Sequence, residues 1–435
     1  MAKLSTPHRP VTVAISFLAL SLMAGTCLVT ARTALAADTT SPVPLLANGK
    51  PVDWWFVFKF SGKDFPGCGA AVVETRSCLY DNGIKPPTYK QGFGQQYVYA
   101  SSADPKLAKG DGCAGETTTD PLGATYGNIF NGVYYYVVWN DQPKGHPTIA
   151  GCTAGGDCGS PWGHSKGMLA WNDAGQGVVL QVTTPSWPLS ASKAASRQGE
   201  SNTLGCIEED DDVKLSQHFF ALKLTKDDLV SVLKAMQNAS IGTDPKQLQL
   251  VNSGGPEDVK ALVSQLGKKS DNKSVTRAML SGGVEIISKP SDLRVPPWQM
   301  VSALLGGVPL RTATFWDAPK IPTTTAATLI ECWDPSLGPA GPVEIALTGQ
   351  WNGKTIEVAS GGNHAKIGAS LDPANPFVIF GDENQQGALS GTCKSSQNGR
   401  GGMFFVLKDR VLADGVGALL KGDTAPTTAS APASQ

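Results

Sequence analysis

The chain has 435 residues, with 36 Lys and Arg against 37 Asp and Glu and a charged share of 17%. That length suits two or three domains or one large two-lobed unit, and the near-neutral balance excludes a generally basic nucleic-acid coat; any polyanion must be held at a local site. Hydrophobic residues at 41% are enough for real cores and exclude wholesale disorder, while 49 Gly and 30 Pro predict abundant loops.

Residues 1–36 read as an export signal. Lys3 and Arg9 precede an apolar stretch over 11–29, and Ala34-Leu35-Ala36 offers a cleavage site. The alternative, a membrane anchor, is weakened by the Ser, Thr and Gly that interrupt the stretch. Cleavage after Ala36 removes Lys3, Arg9 and Arg32 but no acid, leaving 33 basic against 37 acidic residues, a net charge of −4. It also removes Cys27, leaving eight of nine cysteines. An even number in an exported chain, periplasmic or secreted, predicts disulfides of open connectivity. Cys152 and Cys158 flank a Gly-rich loop, Cys68 and Cys78 are close, and Cys332 with Cys393 is a further candidate pair. The rival, a metal site through His146 or His164, matches no common zinc spacing.

Beyond a polar leader over 37–50, residues 52–60 are nearly all apolar and rich in β-formers, as in a strand buried on both faces. Residues 133–139 read the same way, so Tyr134–Tyr136 is taken as strand packing rather than a base-stacking platform. Strands over 168–171 and 178–182 are joined by a turn at 172–177. A capping-box-like Thr225 and Asp228 start a helix whose Leu229, Leu233 and Met236 share one face. Pro256 opens another, stopped by Gly267. In the second half, strands are expected at 284–288, 310–316 and 403–407, with a short helix over 298–305. The acidic run 208–212 reads as a solvated surface rather than a calcium loop. Strands and helices interleave, which gives an α/β fold of two lobes: 37–240, a connection over 241–275, and 276–421, followed by a disordered tail over 422–435.

Among five histidines, two open the same tripeptide pattern 200 residues apart: His164-Ser165-Lys166 and His364-Ala365-Lys366. On an extended strand residues i and i+2 share a face, so imidazole and ammonium can converge on one phosphate. An imidazole can attack phosphorus or carry a proton, and the ammonium offsets phosphoryl charge without a metal. Two equivalent lobes about a pseudo-twofold axis would bring both pairs into one cleft. For either pair alone, a surface histidine beside a solvated lysine is the plainer reading. His146 and His218 show no evident partners. Gly163-His164-Ser165-Lys166-Gly167 is also a literal Gly-x-Ser-x-Gly, the nucleophile elbow of serine esterases, but an elbow needs a strand before it and a helix after it, and neither is expected here.

The flanking sequence resembles the deoxyribonuclease II family, whose members carry a duplicated His-x-Lys motif on a phospholipase D-like fold. Pro51-Val52-Asp53-Trp54-Trp55-Phe56-Val57-Phe58-Lys59 is similar to its opening strand, and Asn140-Asp141-Gln142-Pro143 to its Asn-Asp-Gln-Pro motif. Gly163 to Gly167 and His364 to Lys366 match the two active motifs. Phe315-Trp316, Gly338-Pro339-Ala340-Gly341-Pro342, Gly381-Asp382-Glu383-Asn384 and Arg400-Gly401-Gly402 follow in order. The resemblance implies two pseudo-twofold-related lobes, each a mixed β-sheet flanked by helices. It also implies metal-independent cleavage of DNA at acidic pH to 3′-phosphate ends, with no cofactor and no membrane partner. His164 is expected to attack phosphorus, His364 to serve as acid and base, and Lys166, Lys366 and Asn384 to hold the non-bridging oxygens; the two histidine roles are interchangeable at this stage. Asp382 is expected to orient a histidine or cap a turn. The first half departs from the pattern, with Thr183-Thr184-Pro185-Ser186 where a counterpart of Asn384 should stand, so Thr183 or Ser186 is expected to offer a hydroxyl instead. A non-DNA diester as substrate, or a silent binding protein, are the remaining alternatives.

Overall fold

The computed structural model describes residues 41–65, 80, 96–115, 118–143, 147–149, 151–152, 156–197, 202–204, 214–359 and 361–427. The expected export signal, Cys68, Cys78, His146 and the acidic run lie outside these residues.

In chain order the first half holds β1 (Trp54–Lys59), β2 (Tyr97–Ser101), β3 (Asp104–Lys109), α1 (Pro121–Asn131), β4 (Tyr135–Asn140), β5 (Lys166–Trp171), β6 (Gly177–Val182), β7 (Gln217–Leu224), α2 (Lys226–Asn238) and β8 (Val251–Asn252). These strands form one sheet, ordered β3-β2-β1-β7-β6-β5-β4-β8. Then come α3 (Glu257–Val263), β9 (Thr276–Met279), β10 (Val284–Lys289), α4 (Pro297–Leu304), β11 (Leu310–Ala313), β12 (Val343–Ile345), the hairpin β13 (Thr348–Trp351) and β14 (Lys354–Glu357), β15 (Ile367–Ser370), β16 (Phe377–Gly381), β17 (Gly402–Lys408) and α5 (Arg410–Leu419). A second sheet runs β12-β11-β15-β16-β17-β10-β9.

The two halves repeat one another. Each runs strand, helix, strand, His-x-Lys, a three-stranded meander and a helix: β1-α1-β4-β5-β6-β7-α2, then β10-α4-β11-β15-β16-β17-α5. Local sequence explains the elements. Every residue of β1, β5 and β6 is buried, as expected of mostly apolar strands covered on both faces; Lys59, Lys166 and Gln181 are the polar exceptions. Thr225 and Asp228 complete a reciprocal capping box on α2, satisfying two otherwise orphaned backbone donors. Asp120 caps α1 in front of Pro121, and Asp409 caps α5.

The sheets meet face to face through aromatic side chains. Phe380 of β16 stacks on Phe56 of β1 at 4.6 Å and on Phe220 of β7 at 4.5 Å. Truncating a phenylalanine so placed costs about 3–5 kcal/mol. On β17 the alternation is plain: Met403, Phe405 and Leu407 join this shared core, while Phe404 and Val406 point into a smaller one built around Trp298 of α4. The helix closing each meander touches both sheets: α2 packs against β9, β10 and β17 as well as β7, and α5 against β3 as well as β15 and β16.

Four expectations change. All pairings in the first sheet are antiparallel, so it is not mixed; only the second is, through β11 and β12. The stretch 241–275 is no bare connection: β8 extends the first sheet and α3 packs on α2. The strand expected over 310–316 ends at Ala313, which leaves Phe315 and Trp316 outside it. Finally, the tail does not loosen at 422, because Thr424 bridges to Ala346 and Ala425 is buried.

Candidate active site

The first motif enters β5 through a crowded corner. The amide of Gly163 bonds the carbonyl of Ser240, and that of His164 bonds the carbonyl of Gly401 at 2.8 Å. A Cβ at Gly163 would sit 2.6 Å from the carbonyl oxygen of Ala239 at the end of α2, and one at Gly401 would clash with the same oxygen still more severely. Glycine at both positions lets the segments from the two halves touch.

His164 is buried, and its Nδ1 lies 2.7 Å from the backbone oxygen of Asp382. A carbonyl can only accept, so Nδ1 carries the proton and Nε2 is left with its lone pair. Burial, reinforced by the charges of Lys166, Arg400 and Lys366 and only partly offset by Asp141, holds the His164 imidazole well below its ordinary pKa. The second motif is reached through β7: the amide of His364 donates to Ser216 at 2.7 Å, and its ring meets the edge of Phe315 at 4.9 Å. Lys366 donates from Nζ to the carbonyl of His364.

Both histidines line one cavity of about 340 Å³, together with Lys366, Asn384, Phe315, Gln386, Gln397, Asp141 and Arg400. Asn384 is buried; its Nδ2 donates to Gln386 Oε1 at 2.9 Å and its Oδ1 has no partner. Among the described residues no group of three His, Cys, Asp or Glu is arranged to hold a metal ion.

Other expected residues are placed differently. Lys166 is not on the cavity wall. It is buried and paired at 2.5 Å with Asp141, whose other oxygen accepts from Arg400 at 2.8 Å. Burial would raise the Asp141 carboxyl, but the charges of Lys166, His164 and Arg400 prevail and hold it well below its usual range. Thr183 and Ser186 are not substrate-facing: the Thr183 hydroxyl donates to Gln217 at 2.6 Å, and Ser186 is buried under Arg197, whose Nη2 donates to its Oγ at 2.8 Å. Asp382 also lies behind the wall, its carboxylate accepting from Gln181 at 2.9 Å and from the amide of Met403 at 3.0 Å. Burial lifts this carboxyl to about 7.

His218, to which the sequence assigned no role, lies beneath both motifs. Its Nδ1 accepts the amide of Lys366 at 3.1 Å, and its Nε2 faces Gln181 Oε1 at 3.4 Å. Gln181 reaches Asp382, and Asp382 reaches His164, so one buried chain joins Lys366 to His164. Only period-2 placement on a strand beside the motifs could have flagged His218. Asp141 and Arg400 lay within matched motifs but carried no assigned task. The elbow reading fails: β5 follows Ser165 directly, and its buried hydroxyl accepts from Trp139 Nε1 at 2.8 Å. Cys152 pairs with Cys158 and Cys332 with Cys393, so the cysteines beside His164 are not metal ligands.

The sequence model described as Deoxyribonuclease II matches residues 44–289, more than half of the chain. The chain belongs to the deoxyribonuclease II family. It is therefore a hydrolase of DNA phosphodiester bonds, and the matched span includes the first His-x-Lys motif but ends before the second. No curated protein matches it. Among solved structures, a mutant of the yeast tyrosyl-DNA phosphodiesterase 1 is similar at 9% identity and a TM-score of 0.31, over 66% of this chain and 86% of that one.

Proposed function

We propose that the protein is an exported, metal-independent acid endonuclease that cuts DNA to 3′-phosphate ends through a phosphohistidine, on two phospholipase D-like lobes related by a pseudo-twofold axis. The observation that carries this reading is that His164 and His364, 200 residues apart, line one cavity with Lys366 and Asn384 between them in chemistry. The two disulfides support an oxidising destination.

His164 Nε2 attacks the scissile phosphorus, and the bond to the 5′-oxygen breaks as protonated His364 gives its proton to that oxygen. The 5′-hydroxyl strand leaves, and the 3′-phosphoryl group stays on His164. His364, now neutral, takes a proton from water; the hydroxyl attacks phosphorus, and the P–N bond breaks to free His164 and the 3′-phosphate. Lys366 holds a non-bridging oxygen as charge develops. Asn384 lines the same cavity, where its carboxamide is held by Gln386, which is in turn fixed by its own donation to the carbonyl of Asp317.

The depressed pKa keeps His164 neutral, and so nucleophilic, in a medium acidic enough to charge an ordinary imidazole, which is compatible with the acidic optimum of this reading. Nicking of supercoiled plasmid in EDTA at pH about 5 tests this directly. Cleavage by the wild type, lost in His164→Ala and His364→Ala, is expected; activity that disappears with EDTA would end the metal-independent reading.

A further inference from the structure

We infer that Arg400 is a further phosphate-binding residue of this site, filling in the first half the place that Asn384 fills in the second. The inference rests on the nuclease reading above and deepens it. Register identifies the gap. Lys166 pairs with Val182 across β5 and β6, and Lys366 stands opposite Gly381, whose amide it accepts at 2.8 Å. Three residues beyond Gly381 is Asn384; three residues beyond Val182 is Pro185, which has no polar side chain and no backbone donor. The first-half lysine is no substitute, because Asp141 holds Lys166 away from the cavity wall.

Arg400 comes from the β16–β17 loop but docks on the first motif. Its Nε donates to the carbonyl of Trp162 at 3.0 Å, and its Nη2 donates to the carbonyl of Gly163 at 3.2 Å, to that of Cys158 and to Asp141 at 2.8 Å. Trp162 and Gly163 immediately precede His164. Nη1 has no acceptor among the described residues, and the side chain, 14% exposed, lines the same cavity as both histidines. A guanidinium fixed along one edge with its remaining nitrogen unoccupied is pre-organised for an oxyanion. The Asp141 carboxylate, shared with Lys166, sets its orientation without cancelling both positive charges.

The test uses the mature full-length protein and two probes, DNA and inorganic phosphate. Arg400→Gln is expected to lower kcat/KM on DNA by about 10²–10³-fold and to weaken inorganic phosphate, measured by calorimetry, at least about tenfold. Arg400→Lys keeps a charge for Asp141 but lacks Nη1, so it should show the same losses; it serves as the reading if Arg400→Gln does not fold. Wild-type cleavage with unchanged phosphate affinity in both variants would overturn the assignment and leave the nuclease reading standing. A wild type that binds phosphate through Arg400 yet cuts no DNA would instead overturn the nuclease reading alone.

Discussion

The two His-x-Lys motifs open the same meander, yet their lysines end in different surroundings. Lys366 lines the cavity and bonds the carbonyl of its own histidine, whereas Lys166 is sunk behind the wall against Asp141. The histidines differ as well: His164 is buried with its Nδ1 on a carbonyl, and His364 is partly exposed beside Phe315. The repeated order of elements therefore carries an unequal site, with one motif's lysine paired to a buried carboxylate and the other's lysine on the cavity wall. That order brings both motif histidines to one cavity, and their neighbours there differ.

The largest effects should come from the histidines. His164→Ala is expected to cost about 10⁴–10⁶-fold in kcat, because the covalent route is lost. His364→Ala should cost about 10²–10⁴-fold, as for loss of a general acid. Rapid quenching of labelled DNA should trap an acid-labile, base-stable phosphoenzyme on His364→Ala; finding it on His164→Ala instead would reverse the comparison between the halves.

The lysines separate next. Lys366→Met should lower kcat/KM by about 10²–10³-fold with little change in Tm. Lys166→Met removes one partner of a buried carboxylate and should destabilise the fold by about 3 kcal/mol, seen in denaturant unfolding. Equal effects on both measurements would show that the lysines are interchangeable after all.

A smaller effect is expected at His218, the buried link between motifs. His218→Leu leaves the amide of Lys366 without its acceptor and should lower kcat roughly tenfold, with KM nearly unchanged. His218→Asn places a carboxamide oxygen near the position of Nδ1 and should recover most of that loss. Failure of the asparagine to rescue would make His218 a packing residue only.

Much of this was legible in the sequence, for identifiable reasons. β1, β4, β5, β6, β10 and β17 are mostly apolar and mostly buried, and α2 announces itself through Thr225 and Asp228, so local pattern sufficed. The paired tripeptides located the cavity because the fold repeats. What stayed hidden depends on long-range contacts. Nothing near Lys166 in the chain reveals that Asp141, 25 residues earlier, holds it away from the cavity. Thr183 and Ser186 looked available because Gln217 and Arg197, which occupy them, come from later segments. His218 gains its meaning only when Lys366, 148 residues on, folds over it. Its partner Gln181 lies on β6, where the mostly apolar run showed a strand but not what this polar side chain meets.

The smallest expected effect concerns pH and stability. Burial lifts the Asp382 carboxyl to about 7, so between its ordinary range and that value the folded chain holds a proton the unfolded chain has lost. The stability this group contributes is complete at acidic pH and is lost as pH rises through about 7. His164 and His218 act oppositely: burial keeps both well below the ordinary imidazole value, so unfolding takes up protons as pH falls below about 6.5, and stability declines in that direction. Glu383, also lifted to about 7 by burial, adds to the Asp382 slope. The wild-type profile thus sums opposed slopes, and a single variant isolates one. Asp382→Asn cannot ionise, so whatever constant loss it brings, its Tm relative to wild type should improve by about 2–4 °C between pH about 4.5 and 7.5. A difference that stays flat across that range would place the Asp382 proton transition elsewhere.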